Sequence, residues 1–201
     1  QKGHLKKIMQ DFNSALYSPL VSTMETIFIV AFTFSCILVL YLYKNKSNYL
    51  ITALPLFVLA SHQLEEYVLS PLMFGDKYHF LEWAFRSGVN ISPIEVTTIN
   101  SVPYFLLPLL FLLKPSTKIF SILFLFNSSL LLSNGMFHIG LATAQTDYSP
   151  GMITSLFMYI PLYIKSLYLA SERSLPMKGQ IAITIYGSIA HFLMIWLVNI
   201  F

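Results

Sequence analysis

Charged side chains are scarce in this 201-residue sequence: Asp, Glu, Lys and Arg make up 10% of it, against 56% hydrophobic residues. A soluble domain carries about 25% charged residues, and a chain of this size cannot cover a water-facing surface with so few. The mean hydropathy of +0.67 excludes disorder on the same ground. Cysteine is nearly absent. The single Cys36 lies in an apolar run, so it allows no intramolecular disulfide and marks no redox compartment. Basic excess is small as well, a net +3 from 12 basic and 9 acidic residues scattered over short loops, which excludes a nucleic-acid surface. No apolar–polar alternation of the β-barrel kind is present, nor any internal repeat. The first apolar run is too long for the core of a cleavable signal peptide.

What the sequence has instead is long apolar runs. A spanning helix needs about 20 mainly apolar residues, and six stretches approach that: Leu20 to Tyr43, Tyr49 to Phe74, Glu95 to Leu113, Lys118 to Thr143, Pro150 to Ala170 and Gly179 to Phe201. The expected fold is therefore an all-α polytopic membrane bundle of about six helices, a single domain over residues 1–201. Residues 1–19 read as an N-terminal interfacial segment and 20–201 as the bundle. Residues 77–92 mix Phe80, Trp83 and Phe85 with Lys77, Glu82 and Arg86, the pattern of an interfacial amphipathic anchor.

Basic residues sort by loop. Lys44 and Lys46, Lys114 and Lys118, and Arg173 and Lys178 follow the first, third and fifth runs, with Lys165 able to snorkel to the same side. The positive-inside bias places that side in the cytoplasm and both termini outside, although Lys2, Lys6 and Lys7 oppose it. The expected location is a bacterial cytoplasmic membrane.

Ionisable groups at mid-membrane cost roughly 2.5–3.5 kcal/mol each, and they usually mark function. The second run carries His62, Glu65 and Glu66, at i, i+3 and i+4 and hence on one helix face. Two neighbouring carboxylates in low dielectric stay ionised only with compensation, by a proton or a cation. The fourth run carries Asn134 and His138 at i and i+4, and the sixth carries His191 with Thr184 and Ser188 on its face. A rise of about 1.5 Å per residue puts His62 and His191 near mid-span, with Asn134 about 6 Å and His138 about 12 Å outward. All can meet in one layer. His62, Glu65, Glu66, His138 and His191 thus form a candidate ligand set for a divalent metal, with zinc favoured and iron or manganese as alternatives. Glu65, Glu66 and Asn134 are the candidate catalytic residues, a glutamate acting as general base. For His191 alone a hydrogen-bonded core histidine weighs as much as a ligand. Glu25 and His79 read as solvated residues, and Ser149 with Pro150 as an ordinary helix start.

His62-Gln63-Leu64-Glu65-Glu66 followed by Asn134-Gly135-Met136-Phe137-His138 resembles the family of membrane proteins named for an HxxEE motif, which also carry an Asn-xxx-His motif. The resemblance covers most of the chain. It implies a metal-dependent membrane enzyme with His62, Glu65, Glu66, Asn134 and His138 as the motif positions, and it supplies no substrate. His191 rests on the helix argument alone. The first functional expectation is metal-assisted hydrolysis of a lipid or another hydrophobic small molecule. The competing expectations are a metal-free acid–base isomerase and a lipid-binding or transport module. No nucleic acid or protein partner is expected.

Overall fold

The computed structural model describes residues 19–89 and 91–198 of the chain. Expectations for residues 1–18, including the interfacial segment and its three lysines, lie outside the described residues. Helix α1 spans Pro19–Lys44 and α2 spans Leu50–Leu64. A π turn at Glu65–Leu69 joins α2 to α3, Ser70–Phe74. After a 3-10 turn come the short α4, Phe80–Arg86, and then α5, Pro93–Leu106, prolonged by a 3-10 stretch to Leu112. Helix α6 is Lys118–Gln145. The brief α7, Met152–Thr154, runs through a second π turn, Ser155–Tyr159, into α8, Ile160–Glu172, and α9 is Met177–Val198. Among the described residues there is no strand.

Among the described residues five helices are long and apolar enough to cross a membrane: Pro19–Lys44, Pro93–Leu112, Lys118–Gln145, Met152–Glu172 and Met177–Leu197. This is a multi-pass membrane protein. Residues 50–74, expected as one more regular span, follow a helical course that the π turn divides. Proline explains the division. Pro71 lacks the N–H that an α-helix would offer to Tyr67, and its ring crowds that carbonyl. One widened turn just before it relieves the clash, with Ser70 N–H bonding to Glu65 O five residues back. Pro161 stands in the same relation to the second π turn, where Ile160 N–H reaches Ser155 O.

Helix α6 is the centre of the bundle. Inside the protein 61% of its apolar window is buried, against 17% for α1 and for α9. Helix α9 crosses it at Gly187, where a Cβ would lie 2.6 Å from Phe126 O, so the small residue permits a close helix approach. The second π turn packs on α6 at Gly135, whose Cβ would lie 2.8 Å from the Tyr159 ring. At one end of the bundle Tyr78 Oη donates to Asp147 Oδ1 (3.0 Å), tying the 75–92 connection to the 146–151 loop. At the other end Tyr49, Lys114 and Arg173 border a common cleft.

Two expectations change here. The amphipathic segment exists, but the protein itself covers its apolar face. Phe80, Leu81, Trp83 and Ala84 pack with Val21, Met24 and Phe28 of α1 and with Tyr67. His79 is not an exposed loop residue either. It is 4% exposed, and its Nε2 lies 3.2 Å from Glu25 Oε1 of α1. Clamping α1 against α4 buries the aromatics and His79 and leaves Glu25 about one-third exposed.

Candidate metal centre

Three side chains from two parts of the bundle point at one spot. His62 ends the last regular turns of α2, Glu66 sits in the π turn and His138 projects from α6. His62 Nε2 lies 3.4 Å, and His138 Nε2 2.9 Å, from the same Glu66 Oε1. One ligand atom from each residue falls within 4.8 Å of the others, and all three residues are buried. Two ligands on a tetrahedral zinc with bonds of about 2.0–2.1 Å stand about 3.3 Å apart, so the observed spacings fit a single small cation.

Hydrogen bonds behind the cluster set which ring atoms face it. Thr154 Oγ1 donates to Gly151 O (3.1 Å), so it must accept from His62 Nδ1, 2.8 Å away. That puts the His62 lone pair on Nε2, which Asn134 Nδ2 approaches to 3.0 Å; a cation held there would take that lone pair and release the amide. His138 Nδ1 lies 3.3 Å from Ser149 Oγ, which is fully buried. Glu66 Oε2 is buried with no hydrogen-bond partner among the described residues. A buried carboxylate oxygen without a donor is costly, and a cation beside it removes that cost. The donor set and the orphaned oxygen both fit a divalent metal held by His62, Glu66 and His138.

Glu65 stands elsewhere. Its Oε1 accepts from Tyr148 Oη (2.6 Å) and from Ile153 N–H (3.0 Å), and its Oε2 accepts from Thr154 N–H (2.7 Å). It therefore caps the start of α7 from another helix, where a carboxylate meets free N–H groups and the positive end of the dipole. Burial, together with the hydrogen bond it donates to the Glu65 carboxylate, pushes the Tyr148 phenol well above its ordinary value, which keeps it a donor. The expected start of the fifth run is corrected by the same contacts. Gly151, not Ser149, occupies the N-cap, and the capping oxygen comes from Glu65. Ser149 instead turns inward to His138.

The two carboxylates thus have different surroundings, and of the expected ligand set the structure brings together His62, Glu66 and His138. Asn134 joins them through His62. His191 does not enter the cluster: its Nε2 is buried without a partner and lines an adjoining cavity. That cavity, about 100 Å³, is bounded by Glu66, Asn134 and His191 on its polar side and by Phe80, Val96, Phe137 and Ile195 on its apolar side.

Sequence reasoning did not find Gly151, Tyr148 or the π turns. Gly151 has φ +86, and a Cβ on it would lie 2.6 Å from His62 Cε1 and 3.0 Å from Glu66 Cγ. Its backbone forms the lid of the cluster. The signal for the π turns was present in Pro71 and Pro161, each two residues beyond its turn.

A buried His–Glu–His cluster in a bundle with five membrane-length helices among the described residues, next to an apolar cavity, defines the class: a multi-pass membrane protein with a candidate cation centre. The chain belongs to the family described as "Protein of unknown function with HXXEE motif", which matches residues 53–165. His62 to Glu66 is that motif here. Asn134, His138, Ser149, Gly151 and Thr154 fall inside the matched stretch, and His191 falls outside it. No curated protein and no solved structure matches the chain.

Proposed function

We propose that the protein is a metal-dependent membrane enzyme that hydrolyses a lipid or another hydrophobic small molecule, with His62, Glu66 and His138 holding a divalent cation. Zinc fits the nitrogen-rich set best, ahead of iron or manganese. The observation that carries this reading is the convergence of two imidazole Nε2 atoms on one carboxylate whose second oxygen has no partner. Bound there, such a cation supplies Lewis acidity, polarising a carbonyl or phosphoryl oxygen and bringing the ionisation of water near neutral pH.

The chain's own groups do the rest. Thr154 and Ser149 hold the rings so that Nε2 faces the site. Glu66 Oε2, free of other bonds, is the base that takes a proton from the attacking water. Asn134 borders both the cluster and the cavity, so its amide donates to a substrate oxygen. A cavity of about 100 Å³ has room for only a few heavy atoms. It takes the reacting group of a substrate, not a whole lipid.

A second reading, a metal-free isomerase, draws on the 2.9 Å separation of His138 Nε2 and Glu66 Oε1, a hydrogen-bond distance that needs no ion. Element analysis of purified protein separates the two. The metal reading expects about one equivalent of zinc, iron or manganese, falling at least about tenfold in His62→Ala and His138→Ala. Well-folded wild type without metal, grown in medium supplied with all three, overturns it in favour of the isomerase.

A further inference from the structure

The opposite end of the bundle holds a larger opening that the proposed chemistry does not use. It is a cleft of about 570 Å³, within the usual size of a small-molecule site. Lys114 borders it from the loop after the third apolar run, Lys165 from α8, and Arg173 from the residue that follows α8. Two segments, the loop after the third run and α8 with its C-cap, thus bring three cations to one opening, and among the described residues no acidic side chain lines it. Glu172, next to Arg173 in sequence, does not line it and interacts with the Tyr168 hydroxyl. Among the described residues none of the three cations forms an ion pair. Arg173 Nε is buried there without a hydrogen-bond partner.

Like charges gathered without counter-charge repel one another, an arrangement that an anion would relieve. A guanidinium beside two ammonium groups suits phosphate, which Arg binds through paired N–H donors and Lys as a point charge. Asn48 and Ser116 add uncharged polar groups to the rim. The cleft lies where the spans end, at the level of lipid headgroups, and basic pockets between membrane helices bind anionic headgroups. We infer that this cleft binds the phosphate of an anionic lipid headgroup. Occupied, it would bridge the ends of three apolar runs at a point where the chain itself supplies no bridging acid.

Native mass spectrometry of the full chain in uncharged detergent tests this, with phosphatidylglycerol and phosphatidylcholine of matched tails as probes and inorganic phosphate as competitor. One phosphatidylglycerol should be retained in preference to phosphatidylcholine. Retention should fall about a hundredfold in the triple variant Lys114→Gln/Lys165→Gln/Arg173→Gln and stay unchanged in Lys77→Gln at the other end. Should the triple variant fail to fold, Arg173→Lys serves instead. It keeps the charge but loses the paired donors, and it should weaken retention several-fold. Displacement of the lipid by inorganic phosphate at comparable concentration would assign the site to free phosphate and overturn the lipid source. Equal retention of the two lipids, or retention insensitive to Lys114, Lys165 and Arg173, would overturn the site itself.

Discussion

At the His–Glu end of the bundle His62, Glu65, Glu66 and His138 lie inside the protein, and most of their polar atoms have named partners. At the other end Lys114, Lys165 and Arg173 border an open cleft with no acidic partner among the described residues. The difference follows from where each end can place charge. A carboxylate enclosed by helices must be matched by donors or a cation, because desolvation otherwise costs several kcal/mol. A lysine at the rim keeps its water and needs no match. The first end is therefore specified atom by atom and should respond sharply to single changes. The second should tolerate them in stability and respond only in what it binds.

The largest expected effect comes from the two adjacent glutamates, which share a π turn but not a task. Glu66→Gln replaces the one oxygen that both histidines approach, so metal content should fall by at least about tenfold while the fold persists. Glu65→Gln should do the reverse. It exchanges one of two accepting oxygens for a donor facing N–H or O–H groups, losing a charge-assisted cap worth about 2–3 kcal/mol. Metal content measured beside thermal unfolding separates them. If both variants lose metal equally with no change in stability, the division between ligand and cap is wrong.

Gly151→Ala is the next largest. The backbone there has φ +86, which costs an L-residue about 1–2 kcal/mol. The added methyl must also displace His62 or Glu66, whose atoms stand at 2.6 and 3.0 Å. Both stability and metal content should drop, whereas Gly140→Ala, with open space around the new Cβ, should leave both unchanged. A Gly151→Ala protein with full metal content would show that the loop is not packed on the cluster.

How far the sequence could be read depended on the kind of information each feature carries. Run length and the cost of buried charge were enough for the helical bundle and for the meeting of His62, Glu66 and His138, because those arguments need only periodicity and depth. Glu65 could not be separated from Glu66 that way. The separation depends on a π turn induced by Pro71 and on the start of α7 arriving with free N–H groups at Ile153 and Thr154, contacts 88 and 89 residues distant in sequence. Ser149-Pro150 looked like a helix start by local chemistry, and a capping oxygen from a remote helix overrode it. Glu25 and His79 each looked solvated alone. Only the packing of α1 on α4 made them neighbours.

The smallest expected effect concerns that neighbouring pair, a contact at the His–Glu end that lies outside the candidate metal cluster. Burial pushes His79 down to about 4, against the opposing pull of the Glu66 and Asp76 carboxylates. Glu25 Oε1, although 3.2 Å from His79 Nε2, is not aligned for a hydrogen bond, so it does not reverse the direction. A histidine whose folded value lies below its unfolded value of about 6.5 binds fewer protons in the folded state. Its contribution is therefore complete above about pH 6.5 and is lost as pH falls from there toward 4. At pH 5.5 the loss relative to pH 8 should be about 1 kcal/mol. Thermal unfolding of wild type and His79→Gln across that range isolates the effect, since every other titrating group is common to both. The wild type should lose stability more steeply on acidification than His79→Gln, and the curves should run parallel above pH 7. Parallel curves throughout would mean that water reaches His79 and that α1 does not seal this side of the bundle.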